Sequence, residues 1–175
     1  GDLMNTNTNT ITTTSNSINY MEMEQVCASV AFPDVFEPNE KIVNRRKHRH
    51  PNCIVGNPNY LPSKKDLTKI LSWWFAPVTM LPLGLHGETG TGKTEMLTYL
   101  ANALNEPVFL EKITCGMTGA QFEGDRELVE SASGIITQRN YSQAVQGYKS
   151  SGIGGLIILD EVDKCNDDLG TALHL

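Results

Sequence analysis

The chain has no cysteine pair of the CxxC type. Its four cysteines, Cys27, Cys53, Cys115 and Cys165, are scattered along the sequence. That spacing argues against a disulfide framework and for reduced thiols in a cytoplasmic protein. Long apolar runs are also lacking. The most apolar stretch, Ile70 to Leu85, is interrupted by Pro77 and Pro82 and is too short to span a bilayer. The N-terminus is polar, with no apolar h-region, so no signal peptide is visible. Nor is there an excess of positive charge. Fourteen Lys and Arg stand against 20 Asp and Glu, a net charge of −6, which excludes a nucleic-acid polycation.

What is present is enough for a core. A length of 175 residues fits one domain, or one domain with an arm. Residues 1–19 are low in complexity, with Thr6-Asn7-Thr8-Asn9-Thr10 and Thr12-Thr13-Thr14-Ser15. Too little apolar surface is available there to offset ordering entropy, so a disordered tail is expected. Residues 20–56 read as an N-terminal arm. Tyr20 to Phe36 suggests a short helix or strand, punctuated by Pro33 and Pro38. The cluster Arg45-Arg46-Lys47-His48-Arg49-His50 reads as a solvated loop or helix face, with a phosphate- or nucleic-acid-contacting patch as the alternative. His48, His50 and Cys53 have loosely ligand-like spacing, but no fourth partner is near.

Residues 57–175 carry an α/β pattern. Asn57 to Pro62 is turn-rich, and Ser63 with Asp66 resembles a capping box. Leu67, Ile70, Leu71, Trp74 and Phe75 then recur on one helical face, and Ala76-Pro77 ends the helix. Leu81 to His86 predicts a strand, and Lys93 to Leu104 a helix with Met96, Leu97, Leu100 and Leu104 on one side. Val108 to Leu110 with Ile113 predicts the next strand, and Thr114 to Gly124 a loop. Arg126 to Val129 and Ile135 to Thr137 flank a Gly-containing turn and predict a hairpin. Tyr141, Ala144, Val145 and Tyr148 mark another amphipathic helix. Leu156 to Leu159 is a continuous apolar run, as in a strand buried on both faces of a parallel sheet.

Two motifs carry chemistry. Gly87-Glu88-Thr89-Gly90-Thr91-Gly92-Lys93-Thr94 fits G-x-x-x-x-G-K-[ST] without a mismatch and lies between the predicted strand and helix. The glycines let successive N–H groups turn towards phosphate oxygens, and the helix N-terminus adds partial positive charge. Lys93 would reach the β- and γ-phosphates, and the Thr94 hydroxyl would ligate Mg²⁺. The second motif, Asp160-Glu161, ends the apolar run. Ligands of open α/β sheets bind at that edge. Asp160 would support Mg²⁺, and Glu161 would deprotonate the attacking water. Asp163 and Lys164 follow without an assigned role.

The two motifs together resemble the Walker A and Walker B pair of AAA+ ATPases. Asn59-Tyr60-Leu61 and Phe122-Glu123-Gly124-Asp125-Arg126-Glu127-Leu128 resemble the MoxR-type branch, including small AAA+ subunits of cobaltochelatases. The resemblance implies a P-loop NTPase three-layer sandwich with a mostly parallel sheet, ATP and Mg²⁺ as ligands, and hydrolysis with Glu161 and Lys93 as catalytic groups. It also implies a homo-oligomeric ring that remodels a protein partner, often a von Willebrand A-type protein. A complete module of this family continues past Walker B through a sensor strand, an arginine finger and a helical lid. The sequence therefore reads as a domain cut short after Walker B. The alternatives are a nucleotide-binding switch or scaffold without turnover, a nucleic-acid-associated P-loop module, and a small-molecule kinase. The Asp160-Glu161 pair speaks against the kinase.

Overall fold

The computed structural model describes residues 18–76, 82–132, 134–150 and 154–173. Most of the expected tail, and Pro77 and Leu81, lie outside them.

The arm starts with strand β1, Met23–Cys27, which turns into the four-residue helix α1, Ala28–Ala31. It returns as β2, Ile42–Arg46, antiparallel to β1 with Val26 opposite Val43. The basic cluster thus begins inside a strand rather than on a loop or helix. Successive strand side chains point to opposite faces, and the cluster is divided accordingly. Arg45 pairs with Glu24 at 2.7 Å, and Lys47 with Glu22 at 2.7 Å. Arg46 points the other way and is buried.

Helix α2, Lys64–Trp74, begins as its sequence suggests. The Ser63 hydroxyl oxygen accepts the Asp66 N–H at 3.1 Å and donates to the Asp66 carboxylate at 2.7 Å. Leu67, Ile70 and Leu71 are buried. Trp74 is only half-buried and Phe75 is exposed, so the apolar face is narrower than the spacing predicts. Helix α3, Lys93–Ala103, buries Leu100, and Leu104 caps it. These side chains meet Ala28, Ala31, Phe32, Phe36 and Val43 in one cluster, so the arm, α2 and α3 share a core. Each fully buried Leu or Phe there stabilises the fold by about 2 kcal/mol.

Strand β3, Val108–Lys112, and strand β6, Leu156–Asp160, pair in parallel with Lys112 opposite Asp160. Val108, Leu156 and Ile158 pack on Ala101 of α3. Phe109 and Ile157 face helix α5, Gln143–Lys149, so a helix covers each side of the pair. The approach on the second side is close. A Cβ on Gly147 would lie 2.7 Å from the Phe109 ring. Ile157 remains partly exposed, so β6 is not buried on both faces. Tyr148 is 87% exposed and contributes nothing to the buried face of α5.

Between β3 and α5 lie a short helix and the hairpin. Helix α4, Gly119–Glu123, occupies what reads as a loop, started by a capping box of Thr118 and Gln121. The hairpin is present as β4, Asp125–Ser131, and β5, Gly134–Asn140. Leu128 and Ile135 on it are 76% and 71% exposed.

One expected strand is not seen among the described residues. Residues 82–86 have no ladder partner among the described residues. The stretch keeps a period of two, with Leu83 and Leu85 half-buried between exposed neighbours. Pro82 has no N–H to donate and Gly84 has no side chain to pack, so local preference does not favour pairing. After β6 come a 3₁₀ turn, Val162–Lys164, and helix α6, Asp167–Leu173. Among the described residues, no helix is long and apolar enough to cross a membrane.

Candidate nucleotide site

The site lies where α3 begins and β6 ends. Gly90 and Gly92 have φ of +83° and +81°, a region L side chains rarely adopt. Those two residues turn the chain sharply enough to place Lys93 at the first helical position. The first N–H groups of a helix have no intrahelical acceptor. They converge at the loop with the positive end of the helix dipole, the arrangement that binds phosphate.

Lys93 curls back over the loop. Its ammonium donates to the Gly87 carbonyl at 2.9 Å, the Glu88 carbonyl at 2.7 Å and the Thr91 hydroxyl oxygen at 3.3 Å. The Thr91 hydroxyl donates to the Glu88 carbonyl at 2.8 Å. Gly87, Glu88, Thr89, Gly90 and Thr91 are exposed, while Gly92, Lys93 and Thr94 are half-buried. The cradle is therefore open to a ligand from one side.

Thr94 faces inward. Its hydroxyl donates to the Asp160 carboxylate at 3.2 Å. The other Asp160 oxygen accepts the Glu161 N–H at 3.0 Å. Glu161 itself adopts φ +58°, outside the extended range, so the strand ends at Asp160. One carboxylate oxygen of Glu161 bonds to Lys164, and the other lies 3.4 Å from Lys112. The hydrogen bond from Lys164, with a smaller contribution from Lys112, holds the Glu161 carboxyl below the usual carboxylate range. Neither lysine is flagged by motif spacing. Lys112 is legible only once β3 is paired with β6, which sets it opposite Asp160.

Residues 82–175 match the family described as AAA domain (dynein-related subfamily). The chain belongs to that family. The match bears out the AAA+ reading of the two motifs and with it the P-loop NTPase fold. Over 123 residues the AAA chain is 28% identical to Protein NorQ of Paracoccus denitrificans (strain Pd 1222). That alignment covers 70% of this chain and 42% of NorQ, so the chain spans less than half the length of this curated relative. No solved structure matches the AAA chain significantly.

The other sequence candidates are not brought together. His48 lies 3.5 Å from Glu22, His50 packs edge-on against Tyr20, and Cys53 is buried with its thiol 3.8 Å from the Ala101 carbonyl. Burial pushes the Cys53 thiol up and the His50 imidazole down. No cluster of three or more metal-ligating side chains occurs among the described residues. The basic residues are committed internally. The Arg46 guanidinium bonds to Glu106 at 2.7 Å with both side chains only 7% exposed, and donates to the Tyr20 carbonyl at 2.8 Å. Arg49 bonds to Asn102 at 2.6 Å and to the Ile54 carbonyl at 3.1 Å. Arg46 and Arg49 tie the arm to α3 and the turn that follows it, while Arg45 and Lys47 pair with glutamates of the arm itself.

Proposed function

We propose that this chain binds ATP on the loop Gly87 to Thr94 and, with Mg²⁺, supports hydrolysis of the β–γ phosphoanhydride bond. The contact between Thr94 and Asp160 carries the reading. It joins the end of one motif to the start of the other with two hard oxygen donors, the ligand type that Mg²⁺ takes. Bound there, the ion would neutralise charge on the β- and γ-phosphate oxygens. Lys93 exchanges the neutral carbonyls of Gly87 and Glu88 for charged phosphate oxygens, a stronger hydrogen-bonding partner. Glu161 acts as the base that takes the proton of the attacking water. To do so its carboxylate must leave Lys164 and Lys112.

The wider role follows the MoxR-type reading. Hydrolysis would drive remodelling of a protein partner by a homo-oligomeric ring, with a von Willebrand A-type protein as the partner class. The described cysteines are free, which suits the cytoplasm.

A second reading is a nucleotide-dependent switch that binds ATP without turnover. The ion pairs on both oxygens of Glu161 favour it. Phosphate release by the full chain separates the two. Turnover that Glu161→Gln lowers by about 10² or more, with ATP affinity retained, supports hydrolysis. ATP binding with no turnover in the wild type supports the switch.

A further inference from the structure

Tyr60 lies in the turn before α2, far in sequence from the phosphate loop, yet its ring sits against Gly92. A Cβ on Gly92 would meet the ring at 3.0 Å. The Tyr60 hydroxyl donates to the Gly92 carbonyl at 3.4 Å, a long bond, so the ring contact matters more than the hydroxyl. The same carbonyl accepts the first helical bond of α3, from Met96 at 2.9 Å.

The Gly92 carbonyl and the Lys93 N–H belong to one trans peptide plane and point in opposite directions. Holding the carbonyl towards Tyr60 and Met96 therefore turns the Lys93 N–H outward, into the cradle. Glycine at φ +81° has no side chain of its own to fix that plane. The Tyr60 ring supplies the missing contact. It is itself braced edge-on by Tyr99 of α3 at 6.0 Å, and Phe32 of the arm lies tilted against Tyr99 at 6.0 Å. A row of three rings thus runs from the arm's core to the phosphate loop.

We infer that Tyr60 is a positioning residue for the phosphate loop, acting through the Gly92–Lys93 peptide on the triphosphate of the ligand and not on its base. The inference rests on the proposed nucleotide site. It implies that whatever displaces the arm also loosens the loop.

The test uses the full chain and two ligands, ATP and inorganic tripolyphosphate, each with Mg²⁺. Tyr60→Ala should weaken both by the same factor, about tenfold, and Tyr60→Phe should weaken both about twofold. A loss confined to ATP, with tripolyphosphate binding unchanged, overturns the inference in favour of a base contact. Unchanged binding of both ligands to Tyr60→Ala also overturns it, while the nucleotide site stands. A wild-type chain that binds neither ligand removes the nucleotide site and this inference together. If Tyr60→Ala does not fold, Tyr60→Leu, which removes the ring and keeps apolar bulk, decides. It should weaken ATP and tripolyphosphate by the same factor, while the exposed control Tyr148→Phe binds both as the wild type does. Unchanged binding of both ligands to Tyr60→Leu overturns the inference.

Discussion

The Thr94 hydroxyl and the Asp160 carboxylate stand 3.2 Å apart although 66 residues of sequence separate them. Helix α3 delivers one and strand β6 the other. The contact ties the two motifs into one site. Thr94→Val keeps the β-branched shape and removes the hydroxyl. It should weaken ATP binding in the presence of Mg²⁺ by about tenfold or more, with little change in its absence. Thr94→Ser keeps the oxygen and should bind close to the wild type. Equal binding by Thr94→Val and the wild type, each titrated with and without Mg²⁺, would contradict the assignment.

The arm depends on Arg46. Its guanidinium is buried with Glu106 and bonds to the Tyr20 carbonyl, while its own backbone N–H donates to the Leu104 carbonyl at 3.1 Å. Removing one partner of a buried ion pair leaves the other charge without compensation. Arg46→Met should therefore cost about 3 kcal/mol of stability, read from urea unfolding. Arg45→Met, at a more exposed pair, should cost less than about 1 kcal/mol.

Glu106 gives the pH dependence a definite sign. Desolvation raises its carboxyl above the ordinary value of 4.5, and the hydrogen bond and charge of Arg46 only partly oppose this. Between the ordinary and the raised value, the folded state holds a proton that the unfolded state has lost. Stability from this group is therefore greatest at low pH and falls as pH rises through the window. Glu106→Gln removes the titration. The stability difference between wild type and Glu106→Gln should change across weakly acid pH, with the wild type losing relative ground as pH rises. A difference independent of pH would show that the carboxyl is not raised.

Gly147 tests the second face of the parallel pair. Its Cβ would lie 2.7 Å from Phe109 and 2.9 Å from Ile157, closer than real side chains pack. Gly147→Ala should destabilise by about 1–3 kcal/mol despite the better helix propensity of alanine. Stabilisation by Gly147→Ala in thermal unfolding would mean that α5 does not pack on β3 and β6 as described.

Local patterns were legible in the sequence. The Ser63 start of α2, the Lys93 start of α3, the β4–β5 hairpin and the strand ending at Asp160 all follow from capping, turn and hydrophobic signals spanning a few residues. Pairing was less so. Pro82 to His86 alternates as a strand does, yet a strand exists only with a neighbour, and that is a long-range fact. The basic cluster divides for the same reason, with Lys47 and Arg49 exposed and Arg46 buried. Its composition suggests solvent, but Glu24, Glu106 and Glu22 arrive from elsewhere in the chain to meet Arg45, Arg46 and Lys47. At the candidate site, motif spacing singles out Thr94 and Asp160, which the structure brings into contact. Lys112 and Tyr60 are not singled out, because each reaches the site only through tertiary contact, one through strand register and the other through a ring laid on a glycine.

The most direct test of the account is calorimetric titration of the full chain with ATP, with and without Mg²⁺, for the wild type and Lys93→Ala. The account predicts saturable one-to-one binding by the wild type, tightened by Mg²⁺ and lost in Lys93→Ala. No saturable binding by the folded wild type, or equal binding by Lys93→Ala, would contradict it.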